Sequence, residues 1–159
     1  MANNQLAGKK GIIFGALDEK SIAWKVAQRA HNEGAIFTLT NAPVAMRLGQ
    51  INTLAQQCNN AQVIPADATK IEDLETLITQ SMEILGGPLD FILHSIGMSP
   101  NVRKKRDYTD LDYNFLQQTL DVSAISLHKL LQTAYKLDAI AEWGSVVALS
   151  YIAAQRVFP

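Results

Sequence analysis

Short apolar runs alternate along the chain with longer segments whose apolar residues recur at helical spacing. The runs are residues 11–16, 36–40, 63–66, 89–94 and 145–150, and each is predicted to be a strand. The segments between them predict helices over 21–33, 44–58, 71–85 and 112–137. Strands this uniformly apolar need helices over both faces, and right-handed crossovers leave few ways to connect them. The pattern therefore predicts an α/β fold, a doubly wound parallel sheet in the order 3-2-1-4-5. In 112–137 the residues Phe115, Leu116, Leu120, Ile125, Leu127, Leu130 and Leu131 cover much of the circumference. That predicts burial on more than one side, the second side supplied by a subunit contact. After the fifth strand only residues 151–159 follow, so the sheet is expected to be truncated there with an uncovered edge.

Composition narrows the class. A chain of 159 residues with 48% hydrophobic and 18% charged residues suits one buried core rather than two domains. A net charge of −1 gives no global field for nucleic acid or acidic membrane. No stretch approaches the roughly 18 consecutive apolar residues of a membrane span, and the N-terminus lacks signal-peptide order, so a cytoplasmic protein is expected. Cys58 is the single cysteine and is expected to be a packed or partly exposed thiol. Trp24 and Trp143 are expected to serve packing. The cations Arg103-Lys104-Lys105-Arg106 read first as a solvated loop and second as a dock for an acidic partner.

Chemistry in an open parallel sheet sits at the carboxyl ends of the strands. There the sequence places Gly15, Asn41, Asp67, His94-Ser95-Ile96-Gly97 and Ser150-Tyr151. Gly15 followed by Ser21-Ile22-Ala23-Trp24 reads as a strand, a tight turn and a helix start, which is where a Rossmann-like fold holds pyrophosphate. Ser21 is expected to cap that helix or reach a phosphate oxygen. Asp67 can accept a hydrogen bond from an adenine amino group or cap the next helix. Gly97 leaves room beside a nicotinamide, or simply marks a turn. His94 is expected to be structural, and its spacing from His31 and His128 gives no metal site.

Taken together, Gly15 with Ser21-Ile22-Ala23-Trp24, His94-Ser95-Ile96-Gly97, and Leu149-Ser150-Tyr151 followed by Ala154-Gln155-Arg156 and Pro159 resemble the enoyl-acyl carrier protein reductases, divergent members of the short-chain dehydrogenase/reductase family. The resemblance covers essentially the whole chain. It implies one dinucleotide-binding domain over 1–159 with its C-terminal portion missing, and reduction of trans-2-enoyl-acyl carrier protein thioesters by a reduced nicotinamide. Tyr151 matches the earlier of the family's two active-site tyrosines. The later tyrosine and its lysine lie beyond Pro159, so the 159-residue chain alone is expected to be inactive. The resemblance further implies Gly15, Ser21, Ile22, Asp67, Ala68 and Ile96 at the cofactor, Ser99 beside the acyl group, and a homotetramer.

Three points stay open. Thr40-Asn41-Ala42-Pro43 offers neither an acid for a ribose hydroxyl nor an adjacent arginine for a 2′-phosphate, with Arg47 one turn away; NADH is favoured and NADPH not excluded. Ser150 keeps a 3-oxoacyl carbonyl reductase in view. A non-catalytic nicotinamide-binding module is the third reading.

Overall fold

The computed structural model describes residues 3–47, 49–152 and 155–156. Its frame is a four-stranded sheet built from β1 (Lys10–Phe14), β2 (Ile36–Thr40), β3 (Leu89–His94) and β4 (Ile140–Ala148). All neighbours run parallel, in the order β2-β1-β3-β4. Consecutive side chains of a strand face opposite sides, so Ile13 and Ile12 seed two separate cores. Ile13 packs with Trp24, Phe37, Leu39, Ile51 and Leu54 under α1 (Ile22–Asn32) and α3 (Ile51–Gln57). Ile12 and Phe14 pack with Leu74, Leu77, Ile78 and Leu130 under α4 (Ile71–Leu85) and α7 (Ser126–Lys136). Helices on both faces of a parallel sheet make this the doubly wound, Rossmann-like fold read from the sequence.

The predicted third strand keeps its place but not its form. Val63 makes an isolated parallel bridge to Leu39, on the far side of β2 from β1. Leu39 donates to the Gln62 carbonyl, and Ile64 and Ala66 donate to the Leu39 and Asn41 carbonyls, at 2.9–3.1 Å. Pro65 lies between the last two and has no N–H, which suits an edge segment that never lengthens into a strand. The predicted helix 44–58 is also interrupted, into α2 (Pro43–Met46) and α3. Gln50 gives its N–H to the Leu17 carbonyl, and a Cβ on Gly49 would lie 2.8 Å from the same oxygen.

The predicted helix 112–137 runs as α6 (Tyr113–Leu120), a π-helical turn over Asp121–Ile125, and α7. Asp112 caps its start, accepting from the Asn114 and Phe115 N–H groups. Leu120, Ile125, Leu131 and Tyr135 remain exposed along it. The last strand begins at Ile140 rather than 145, because a register shift between Leu89 and Phe91 accommodates extra residues in β4. That irregularity turns Trp143 out: it is 94% exposed with a φ of 65°, against the expectation of a packing residue. Trp24 is fully buried as expected.

Two carboxylates tie down the start of the chain. Glu33, buried at the end of α1, accepts from the Asn3 and Gln5 N–H groups through Oε2 and faces Arg29 at 2.6 Å through Oε1. Those contacts, led by the Gln5 N–H, hold its carboxyl below the ordinary value of 4.5 despite burial. Asp90 is held low chiefly by the Lys9 ammonium, 2.7 Å away, and by the Lys10 N–H.

A group with a depressed folded pKa stabilises above its unfolded value, and the stabilisation is lost as pH falls through the folded one. Denaturant melts of wild type and Glu33→Gln should therefore differ most near neutral pH. The gap should close as pH drops below 4.5. A gap independent of pH would show that shape rather than charge matters at this position.

Among the described glycines, Gly15 leaves the least room for a side chain. Its φ is +89°, and a Cβ there would lie 1.9 Å from the Ser95 carbonyl oxygen. Gly15→Ala should cost more than about 3 kcal/mol, through left-handed strain plus displacement of the turn after β3. Thermal melting of the variant tests this; an unchanged midpoint would mean the two turns separate easily.

Candidate functional site

The carboxyl ends of β1, β2 and β3 converge on one edge. Leaving β1, Gly15 donates to the Thr40 carbonyl at 3.0 Å, so the phosphate-type turn is hung from β2. The loop to α1 is internally bonded. Asp18 Oδ1 accepts from the Lys20 and Ser21 N–H groups, and the Ser21 hydroxyl donates to the Asp18 carbonyl (2.7 Å) while accepting from Leu17 (3.2 Å). Ser21 thus occupies the N-cap position without capping: its side chain makes no bond to the first turn of α1. This corrects the capping expectation. The serine shapes the loop, and the first-turn N–H groups beside the exposed Ile22 keep the positive helix end uncapped by a side chain.

At the end of β2, Asn41 is engaged twice, donating to the Ala16 carbonyl at 3.1 Å and accepting from Ala42 at 2.9 Å. Asp67 does not cap α4. Lys70 holds that position, and the Asp73 carboxylate reaches back to the Asp67 N–H at 2.9 Å. One oxygen of Asp67 accepts from the Thr69 N–H and hydroxyl; the other makes no hydrogen bond among the described residues. Asp67, buried Ala68, Ile96 and Asn41 border an open cavity of about 50 Å³ between β1 and the π-helical turn. Two larger grooves, of about 430 and 420 Å³, lie elsewhere, beside Cys58 and Ile84 and beside Tyr135 and Val146. Cys58 itself is buried, which pushes its thiol pKa up.

After β3, Ser95 presents its carbonyl to Gly15, while Gly97 faces open space. A Cβ on Gly97 would meet nothing within 4 Å, and its φ is not in the left-handed region. Among the described residues, nothing therefore requires glycine at 97. His94 is structural, as expected. It is 1% exposed, and its Nε2 lies 2.9 Å from the Ser126 hydroxyl. Since that hydroxyl donates to the Val122 carbonyl at 2.7 Å, the imidazole must be the donor to Ser126. Burial lowers its pKa below the ordinary histidine value.

Strand-end reasoning missed the π-helical turn. Ser123 accepts from the Met98 N–H at 3.0 Å and donates to the Met98 carbonyl at 3.2 Å, holding the residue after Gly97. Lys129 joins Asp121 to the Thr69 carbonyl, at 2.8 and 2.7 Å. The serines at 123 and 126, three apart and so on one face of the predicted helix, were the available signal. Ser99 caps the short helix α5 (Pro100–Arg103), accepting from Val102 at 3.4 Å. Tyr151 is 72% exposed and follows Leu149, whose N–H reaches the His94 carbonyl at 3.1 Å. Ala154 and Pro159 lie outside the described residues. Among the described residues, no three His, Cys, Asp or Glu side chains group as metal ligands, and no helix is long and apolar enough to cross a membrane.

Known proteins agree with this geometry. The enoyl-(acyl carrier protein) reductase family model matches residues 15–159. The enoyl-[acyl-carrier-protein] reductase [NADH] FabI of Rickettsia bellii is 32% identical over 100% of the chain and 59% of its own length. Enoyl-[acyl-carrier-protein] reductase [NADH] 2 of Rhizobium meliloti is 29% identical over 99% of the chain and 57% of its length. The crystal structure of a FabI–NADH complex from Alistipes finegoldii superposes with a TM-score of 0.93 at 65% identity, covering 96% of this chain and 54% of that one. In each case the chain spans less than two thirds of its relative. A match that begins at the glycine of the β1 turn and runs to residue 159, on the same sheet and helices, means that the chain belongs to the enoyl-(acyl carrier protein) reductase family.

Proposed function

We propose that this chain forms the single dinucleotide-binding domain of an NADH-dependent reductase of enoyl thioesters carried by acyl carrier protein. The observation that carries the reading is Gly97: it lies at the carboxyl edge, and no neighbour among the described residues explains its missing side chain. A flat ring lying against the turn after β3 would explain it. Three further features suit the rest of NADH. The uncapped start of α1 suits a pyrophosphate, the second oxygen of Asp67 an adenine amino group, and the walls at Ala68 and Ile96 the adenine face. The end of β2 supplies no arginine that meets a 2′-phosphate directly, since Asn41 is held by Ala16 and Ala42. NADH is named for the Rickettsia relative and is bound in the Alistipes complex, and both support it over NADPH.

Bound NADH supplies a hydride for the β-carbon of the enoyl group. The chain's task is to hold the thioester and meet the charge that develops on its oxygen. Ser99, one short turn from Gly97, stands beside the acyl group in this reading, and the Tyr151 hydroxyl faces the thioester oxygen. A homotetramer in the cytoplasm fits the apolar side chains left exposed on α6 and α7, Leu120, Ile125, Leu131 and Tyr135.

Two variants of the full-length protein test this. Gly97→Ala should bind NADH about tenfold more weakly by fluorescence titration, with an unchanged melting temperature, because the added methyl meets ligand and not protein. Unchanged affinity would remove the turn from the cofactor site. Tyr151→Phe should retain NADH affinity and lose about tenfold to a thousandfold in kcat on crotonyl thioester, as expected for a donor engaged mainly in the transition state. Wild-type turnover would exclude Tyr151 from the reaction.

A further inference from the structure

Four adjacent cations ordinarily make a loose, solvated loop. Here the loop is closed. Asn101, 4% exposed, donates from Nδ2 to the Asp112 carbonyl and accepts the Asp112 N–H on Oδ1, both at 3.0 Å. These reciprocal bonds clamp residues 101–112 at the base, and the Arg106 N–H adds a bond to the Asn101 carbonyl at 3.0 Å. Within the loop, Arg106 pairs with the Asp110 carboxylate at 2.9 Å, and the Lys104 ammonium sits 4.2 Å above the centre of the Phe115 ring. Asp112 is occupied as the cap of α6, which leaves Asp107 as the one carboxylate of the loop outside these bonds.

The closed loop presents a definite set of groups to solvent. Arg103 and Lys105 make no ion pair among the described residues. Val102 is 74% and Tyr108 89% exposed, far more than such side chains need be. Arginine and tyrosine beside an aliphatic group, on a backbone already ordered, match what protein interfaces use as anchors. Pre-ordering lowers the entropic cost of binding. The patch is local, because the chain as a whole carries a net charge of −1. It also adjoins Ser99, the cap of α5, since Val102 and Arg103 lie on that short helix itself, whose whole rise is about 6 Å.

We infer that this loop is the docking surface for the acidic protein that carries the acyl chain. Arg103 and Lys105 meet its carboxylates, and Val102 and Tyr108 pack against its apolar surface. The choice of occupant rests on the reductase reading above; the clamp and the exposed set do not. The surface brings a thioester arm to Ser99 without contributing to the chemistry, so it acts on association and not on turnover.

The test is direct binding, followed separately by turnover. Fluorescently labelled crotonyl-acyl carrier protein is titrated by anisotropy against the full-length protein and its Arg103→Glu/Lys105→Glu variant. At low ionic strength the variant should bind at least about fivefold more weakly, and the difference should shrink toward 0.5 M salt, on the order of a few ångströms of Debye length. Reduction of crotonyl-N-acetylcysteamine, which has no charge to steer, should be the same in both proteins. Equal carrier binding by the two proteins, or none by wild type, would overturn the docking surface. So would a change in oligomeric state on size exclusion, which would assign the loop to a contact between copies. Carrier binding as expected with no reduction of either thioester would leave the dock standing and remove the reductase reading.

Discussion

The carboxyl edge of the sheet depends on one steric constraint: the turn leaving β1 lies in contact with the turn leaving β3. Gly15 can pass the Ser95 carbonyl only because it has no side chain and can hold a φ of +89°. From that contact the positions of the other parts follow. The Gly15 N–H reaches β2, which sets where Asn41 stands; the Ser95 carbonyl is fixed, which sets the direction taken by Ile96 and Gly97. The same glycine that would be read as a phosphate-binding residue is thus first a packing residue between strands. Its substitution acts on the fold before it acts on any ligand.

Parallel strands buried on both faces force the second constraint, because each end of every strand must be closed by a connecting loop or a helix terminus. The π-helical turn between α6 and α7 does this for β3. A π turn widens the helix locally and redirects its side chains, so that Ser123 reaches Met98 while Ser126 reaches His94. Lys129 then carries the same anchoring to the Asp67-Ala68-Thr69 turn. One irregular helix thus braces both the turn after β3 and the Asp67-Ala68-Thr69 turn beside the candidate cofactor cavity.

Much of this was legible in the order of apolar runs. Ile12 and Ile13, adjacent and both buried, require two cores and therefore helices on both faces, and that requirement determines the fold class. The positions of Gly15, Asp67 and Gly97 follow from strand ends alone. What sequence could not supply was the partner of each polar group. Ser21 has the residue type and place of a cap, yet its oxygen accepts from the Leu17 N–H instead of from the first turn, while its hydroxyl donates to the Asp18 carbonyl. Asp67 likewise does not cap α4, because its carboxylate accepts from the Thr69 N–H and hydroxyl before the helix begins. Trp143 lies in an apolar strand but is turned out by a bulge whose only trace in the sequence is Gly144 after it. Proline at 65 was visible throughout, and its missing N–H is reason enough for the third strand to shrink to a bridge.

The polar side chains near the edge are largely engaged with the protein itself: Ser21 with Asp18, Asn41 with Ala16, His94 with Ser126, one oxygen of Asp67 with Thr69. What the edge offers outward is of another kind: a helix start without a side-chain cap, one carboxylate oxygen, and an empty place at Gly97. Such a surface binds by shape and backbone dipole, and it is poorly equipped to run acid or base chemistry of its own. An edge of this sort suits a ligand that brings the reactive electrons with it, leaving the protein to orient that ligand and to stabilise charge on a substrate from one side. Tyr151 stands beyond β4 and is 72% exposed, in the place where the proposed function puts the donor to the thioester oxygen. The proposed division of labour, a backbone-lined holding site with a separate hydroxyl donor, is consistent with the way the edge distributes its hydrogen bonds.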